Sequence, residues 1–547
     1  MVSRFPSRRR RCPSRNDLVA RIPIPRRWNL TPRDAAILAA IGLATAAIYL
    51  PSIRDGWVFD DWSELVGNKL LRTWAFVFNS FRYDVWYFRD PLHVPQSVYY
   101  RPMQNVWFAA NAALFGLHPA PWHLAKIVLH IVAVVLSFRV AQLMTGDARC
   151  GLLTAAIFAL MPAHVGGVAW ASAIPEPLST VFELAAMVFL IERKPGWSRG
   201  LFISALLFGC AMLTHESAIL FPILVALYVF IFERADERTS KRIALALGAC
   251  APFVLVTIAY ACARLNALGA HFFFGTYHVA TSLVLRGFHD IRLNYTPAQL
   301  LMTMPVVLLT YLAVLALPAM AGPTHAVAFV TSPQPIAFIC AAVLIILAGA
   351  AFVLARRSSE RRIYLFCAAW TLLTLAPALN LNSLFYLVDD RYLYAPSFGW
   401  SLAVAVAAMQ LATTGARARI AVGTAMAMLL ALYAVSTVQT ERYWRDDIAF
   451  FQRCVEIQPS YLNFRLNLAN SMNKAGDREG AARVLQEGTT IDPDNAPLRM
   501  RLAQQYQRMG RELDFEREFQ KFNELSSKMI ERHNAGTDSG ASPGDSD

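Results

Sequence analysis

The sequence predicts an all-α protein: a polytopic membrane helix bundle with about 11 spans, followed by an α-solenoid of helical repeats. Two observations carry that prediction. Of the 547 residues, 56% are AVILMFWYC and only 16% are charged, which excludes a disordered chain and argues against an ordinary soluble globule. The apolar residues also gather into separated runs up to residue 438, after which the composition turns soluble and begins to repeat. The net charge of +13 is uneven: residues 1–33 hold ten Arg and one acid, so +9 of it belongs to that tail. The remainder is close to balance and implies no nucleic-acid surface. The eight cysteines form no CxxC pair and read as small packing residues.

The basic tail, residues 1–34, precedes a first apolar run at 35–50. Pro51-Ser52-Ile53-Arg54-Asp55 follows it in place of a small-residue cleavage site, so the run reads as an uncleaved anchor with its tail in the cytoplasm. Further runs at 122–144, 151–170, 178–191, 201–213, 218–232, 243–263, 300–317, 336–354, 364–379, 395–411 and 420–438 complete a membrane domain over residues 35–438. Alternation puts the basic turns at 139–149, 192–199 and 233–242 inside, as the charge rule requires. If 300–317 spanned, Arg356, Arg357, Arg361, Arg362, Arg417 and Arg419 would fall outside. Treating that run as re-entrant or interfacial keeps them inside, leaves eleven spans and puts the C-terminal domain outside. The external side then receives the loops 52–121 and 264–299 and nearly all the unusual polar clusters.

Residues 439–532 show a 34-residue self-similarity: Ile457 with Ile491, Pro459 with Pro493, Leu468 with Leu502, Ala469 with Ala503, Gly476 with Gly510. That is the tetratricopeptide period, a helix–turn–helix unit with small residues where helices touch. About two and a half units are present, so the array is expected to lean on the membrane domain. It suits peptide or protein binding, packing or oligomerisation. Residues 533–547, rich in Gly, Ser and Asp, read as a disordered tail.

The chemistry candidates lie on the external side. Asp60 and Asp61 sit beside aromatics just after the first span, where one carboxylate can act as general base and the other position it or bind a metal. A solvated acidic turn is the plain alternative. Arg391, in Asp389-Asp390-Arg391-Tyr392-Leu393-Tyr394, stands at the mouth of a span, where a guanidinium can form bidentate bonds to phosphate. It could equally pin the helix end against an Asp. Arg101, Tyr392, His164, Glu176 and Glu216 are helpers or caps on the same side. His123 and His130, seven apart on one helical face, read as packing histidines. An Asp pair can hold Mg²⁺ or Mn²⁺, but a one-base displacement does not require it, and metal use stays open.

Together these residues resemble the membrane glycosyltransferases of the GT-C class, nearest the protein O-mannosyltransferase superfamily and its transmembrane-and-tetratricopeptide-repeat branch. The matching pieces are Phe59-Asp60-Asp61, Tyr100-Arg101-Pro102, His123…His130, Pro162-Ala163-His164…Trp170…Glu176, His215-Glu216 and Arg391-Tyr392-Leu393-Tyr394-Ala395-Pro396-Ser397. The resemblance covers the chain beyond the basic tail. Departures are Met161-Pro162 for a His-Pro, Gly166 for an acid, Glu176 for an Asp, and His215 for a Lys.

The resemblance implies an inverting transfer of a sugar, such as mannose, from a polyprenyl-phosphate donor to a hydroxyl on the extracytoplasmic face. Asp60 would be the base with Asp61 supporting it. Arg391, with Tyr392 and Arg101 beside it, would hold the donor phosphate. The acceptor would be protein Ser/Thr, reached through the repeats; a lipid or cell-surface glycan acceptor, or an inactive scaffold presenting repeats, are the alternatives. Arg outnumbers Lys 44 to 7, a bias of GC-rich bacterial genomes that points to a bacterial inner membrane.

Overall fold

The computed structural model describes residues 30–89, 97–193, 196–234, 237–269, 296–379 and 387–538. The tail up to residue 29, the 270–295 part of the expected second external loop and residues 539–547 lie outside these. All regular elements among the described residues are helices, as the sequence predicts.

Helix α1 (Pro32–Tyr49) leads into the first acid-bearing loop, which carries α2 (Trp74–Asn79) and α3 (Pro102–Phe115). Helices α4 (Pro119–Thr145) and α5 (Ala148–Leu160) form a hairpin. The run 151–170, expected as one straight span, is instead broken: the leg Pro162–Ala169, which contains α6 (Val165–Ala169), is bent by 55° from α5. Pro162 has no N–H to continue the helical ladder, which places the break. Then follow α7 (Pro175–Glu192), α8 (Arg199–Met212), α9 (Phe221–Phe232), α10 (Thr239–Leu268), α11 (Pro297–Ala316), α12 (Pro335–Arg357), α13 (Arg361–Leu375), α14 (Pro396–Ala412) and α15 (Ala416–Glu441). Pro within the first turn opens α3, α4, α7, α11, α12 and α14, where its fixed φ suits a helix start and its missing N–H leaves nothing unpaired.

Among the described residues, seven helices are long and apolar enough to cross a membrane, and the bent α5–α6 pair makes an eighth. Shorter apolar helices include α8 and α14, while α7 carries Glu176 and Glu183 within its length. Bare side chains such as Ile345 (71% exposed) and Leu354 (70%) coat α12, a surface that suits lipid and not water. The chain is an integral membrane protein.

Helix α11 is one of the seven, and bonds near its start and near its end tie it to neighbouring segments. Near its start, Gln299 donates to the Thr331 carbonyl just before α12. Near its end, the Tyr311 hydroxyl accepts from the Asp389 N–H, and Leu315 accepts from Tyr433. Helix α12 finishes at the far end, where the loop residue Ser358 bonds Gln410 near the close of α14. Among the described residues the long apolar helices number seven or eight, α11 included, against the eleven spans expected without it.

Beyond α15 the chain forms α16 (Asp447–Ile457), α17 (Leu462–Lys474), α18 (Arg478–Ile491), α19 (Ala496–Arg508) and α20 (Glu512–Asp538). Residues 533–538 of the expected tail thus continue a helix. Ala469, Ala481, Leu485, Leu498, Leu502 and Tyr506 form the repeats' own core, whereas Phe450, Phe451 and Cys454 of α16 belong to the core of the membrane bundle. Gly476 and Gly510, one period apart, end α17 and α19 with φ of 89° and 72°, a conformation that costs any residue with a Cβ. Gly476→Val is expected to lower stability by about 1–2 kcal/mol, read as a drop in melting temperature; an unchanged value would contradict the shared-turn account.

Candidate functional site

The acid turn follows α1 directly. Both carboxylate oxygens of Asp61 are occupied: Oδ2 accepts the Val58 N–H at 3.0 Å and Oδ1 the Ser172 N–H at 2.7 Å. Asp61 is fully buried, and burial pushes its carboxyl up to about 7 despite those donors. Asp60 differs. It is half-buried, and among the described residues its carboxylate makes no hydrogen bond or ion pair. Burial raises it above the ordinary carboxylate range, while the guanidinium groups of Arg89 and then Arg391 pull it back. Adjacent acids thus divide: Asp61 fixes the turn and Asp60 is left available. Phe59, just before them, adopts φ of 52°, a left-handed conformation that costs about 1–2 kcal/mol for a residue with a Cβ. Such strain at a site persists only where surrounding contacts enforce it.

Arg391 faces the turn across Trp170. Its guanidinium lies 5.1 Å from the Trp170 ring, and Phe59 packs against the same indole at 5.7 Å. Arg391 Nε stands 3.0 Å from Asp389 and 3.5 Å from Glu176, and its Nη2 is 3.5 Å from the Tyr392 hydroxyl. Burial works against its charge, but Asp389 above all holds the proton on, well above the ordinary range. Glu176 sits in the first turn of α7, where the helix N-terminus favours an anion. It also lies 3.8 Å from His215 Nε2, and its second oxygen is buried with no hydrogen-bond partner among the described residues.

A second cation stands close by. Arg101 donates to Glu216 at 2.8 Å and lies 4.2 Å from the Tyr99 ring, and Glu216 also accepts the Tyr100 N–H at 3.2 Å. Electrostatic coupling of Arg101 to Glu176 joins the two cations through one acid. Asp60, Asp61, Arg391, Tyr392, Arg101, Glu176 and Glu216 therefore gather at one end of the bundle.

His164 sits elsewhere. It is fully buried, bonds Ser397 at 2.7 Å and packs on Phe158 and Tyr394. His130 likewise bonds the Tyr394 hydroxyl at 2.6 Å. These histidines tie α4 and the α5–α6 break to the Arg391 segment. Gly166, where the resemblance leads one to expect an acid, faces Trp444: a Cβ there would lie 3.3 Å from the indole.

Three charged residues of the site were not singled out from sequence. Lys126, 2% exposed within α4, donates to the Ala173 carbonyl; a lone lysine in an apolar run was the available signal. Glu64 accepts from Trp86 at 2.7 Å and Gln104 at 3.3 Å, and burial lifts its carboxyl to about 8. Arg89, over the Trp86 ring at 4.3 Å, donates to Ser63 at 2.7 Å. Among the described residues no group of three or more His, Cys, Asp or Glu converges to hold a metal ion.

Next to Arg391, Asp390 is bound by His325 Nε2 at 2.5 Å and by the Gly322 N–H at 2.8 Å. Burial opposes a charge on His325, but Asp390 outweighs it and raises His325 above its usual 6.5. A histidine that binds its proton more tightly when folded adds stability that is complete below about 6.5 and fades as pH rises through the higher folded value. The melting temperature is expected to fall from neutral to alkaline pH, and Asp390→Asn to flatten that fall. An equally steep fall in the variant would contradict this.

A family model described as dolichyl-phosphate-mannose-protein mannosyltransferase matches residues 100–260, the stretch that runs from the Tyr100-Arg101 turn to Tyr260 in α10. The chain is 24% identical to protein O-mannosyl-transferase Tmtc3 of Drosophila melanogaster over 90% of its own length and 59% of that protein's. It is 22% identical to TMTC3 of Mus musculus (89% and 54%) and to TMTC3 of Homo sapiens (90% and 55%). The chain thus spans between 54% and 59% of the length of these relatives. These similarities agree with the resemblance read from the motifs.

Proposed function

We propose that this chain is an inverting glycosyltransferase that moves a sugar, mannose first among candidates, from a polyprenyl-phosphate donor to a serine or threonine hydroxyl of a polypeptide. The observation that carries the reading is the division of labour between Asp60 and Asp61: one carboxylate is anchored by two backbone N–H groups, and its neighbour, with no hydrogen bond or ion pair among the described residues, lies in the field of the Arg89 and Arg391 guanidinium groups. Asp60 takes the proton from the acceptor hydroxyl as that oxygen bonds to the sugar's anomeric carbon. The carbon–oxygen bond to phosphate breaks on the opposite face, and the phosphate leaves with the bonding electrons. Arg391 stabilises the charge that grows there, with Tyr392 and Arg101 beside it. A lipid tail can lie between helices while its phosphate meets these cations at the bundle's end.

The site end is taken as the extracytoplasmic face because Arg356, Arg357, Arg361 and Arg362 gather at the opposite end, and a bacterial inner membrane is taken from the excess of Arg over Lys. The relatives' names as protein O-mannosyl-transferases support a polypeptide acceptor. The test is mass spectrometry after incubating purified full chain with several polyprenyl-phosphate sugars, Ser/Thr peptides and lipid acceptors. Hexose on peptide is expected from the mannosyl donor. Hexose on lipid alone would assign the acceptor differently, and no transfer from any donor would leave a scaffold.

A further inference from the structure

The segment that joins the bundle to the repeats lies against the acid turn. Three backbone N–H groups of the turn donate to it in step: Ser52 to the Glu441 carboxylate at 3.1 Å, Gly56 to the Arg445 carbonyl at 3.1 Å, and Phe59 to Asp447 Oδ1 at 2.7 Å. The side chains follow the same register. Phe59 stacks on Phe450 at 5.8 Å and meets Phe451 edge-on at 5.7 Å, and Trp444 stacks on Trp170 at 5.3 Å. Farther along, Lys474 of α17 lies 5.3 Å from the Trp62 ring. The contact at Phe59 is the informative one, because that residue holds an unfavourable φ and directly precedes Asp60. An N–H turned by a left-handed residue needs a partner when it is removed from water, and Asp447 supplies it as a charged acceptor.

We infer that Asp447 is a positioning residue for Asp60, so that the entry to the repeat domain is part of the catalytic apparatus and not only an appended binding module. Asp447 acts through the Phe59 backbone: its carboxylate and the Phe450–Phe451 pair hold the turn in the one conformation that presents Asp60 beside Arg391. Loss of the acceptor relaxes Phe59 toward ordinary φ and swings Asp60 away, a displacement that costs rate and leaves donor binding at Arg391 intact. The inference rests on the glycosyltransferase reading for its kinetic part and on geometry alone for its structural part.

The experiment compares full-length wild type, Asp447→Ala and Asp447→Asn, the last of which keeps an oxygen acceptor at the same reach. Asp447→Ala is expected to lower kcat by about tenfold or more with KM for the mannosyl donor unchanged within about twofold, and Asp447→Asn to recover most of that loss. Amide hydrogen exchange in the peptide spanning residues 56–64 is expected to speed up in Asp447→Ala and to stay near wild type in Asp447→Asn. If Asp447→Ala does not purify as a folded chain, Asp447→Ser, too short to reach the Phe59 amide, replaces it under the same thresholds. A smaller kcat effect, a loss through KM, a loss shared by Asp447→Asn, or unchanged exchange at 56–64 would each overturn the inference. Should wild type transfer no sugar, the function fails while the exchange data still decide the positioning.

Discussion

Asp60→Asn is expected to cut sugar transfer sharply while leaving the fold and donor binding in place. The amide has the carboxylate's shape but cannot accept the acceptor's proton, so the expected loss is about 10²-fold to 10⁴-fold, the usual range for a general base. Stability should move the other way or not at all. Burial raises the folded Asp60 carboxyl, which means that its charged form is disfavoured in the fold at neutral pH, and a neutral amide removes that cost. The melting temperature of Asp60→Asn is therefore expected to equal or exceed that of wild type. The same raised carboxyl is expected to give wild-type activity an acid limb, with transfer falling as pH drops and Asp60 protonates. Asp60→Asn activity within about tenfold of wild type would contradict its role as base.

Arg391→Ala is expected to cost about 10²-fold to 10³-fold in transfer, the scale for removing one charge-stabilising group from a transition state. Unlike the first change, it also weakens the fold. Asp389 and Glu176 lose their common cation, and unpaired buried acids are destabilising by about 1–3 kcal/mol. Arg391→Lys separates the two effects. It restores a positive charge between the acids, and so most of the melting temperature, without the planar fork that grips two phosphate oxygens. Full activity in Arg391→Lys would show that the guanidinium's geometry is not used.

Much of the architecture is legible from sequence because its causes are local. The apolar runs mark the bundle, and the 34-residue offset marks a helix-pair repeat whose Gly476 and Gly510 share one backbone conformation. The charge argument withdraws 300–317 from the spans, whereas α11 is by length and composition one of the seven helices able to cross. What stays hidden depends on residues far apart in the chain. Adjacent Asp60 and Asp61 look equivalent until Ser172, 111 residues away, donates its N–H to one of them. Phe59 shows no sign of strain in sequence, because the Asp447 carboxylate that accepts its N–H stands 388 residues away. Lys126 and Arg89 carry readable charges, but only the packing of α4 and of the first loop turns them toward the site. His164 lies in a motif stretch, yet its contacts tie helices together.

The central claim is a direct displacement in which one carboxylate removes a proton and a cation receives the leaving phosphate. The anomeric configuration of the product tests it most directly: purified full chain is given a polyprenyl-phosphate mannose of known configuration and a Ser/Thr peptide, and the glycopeptide linkage is read by nuclear magnetic resonance. The account predicts a single product whose anomeric configuration is inverted relative to the donor, formed by wild type and not by Asp60→Asn. Retained configuration, or an inverted product formed equally well by Asp60→Asn, would contradict it.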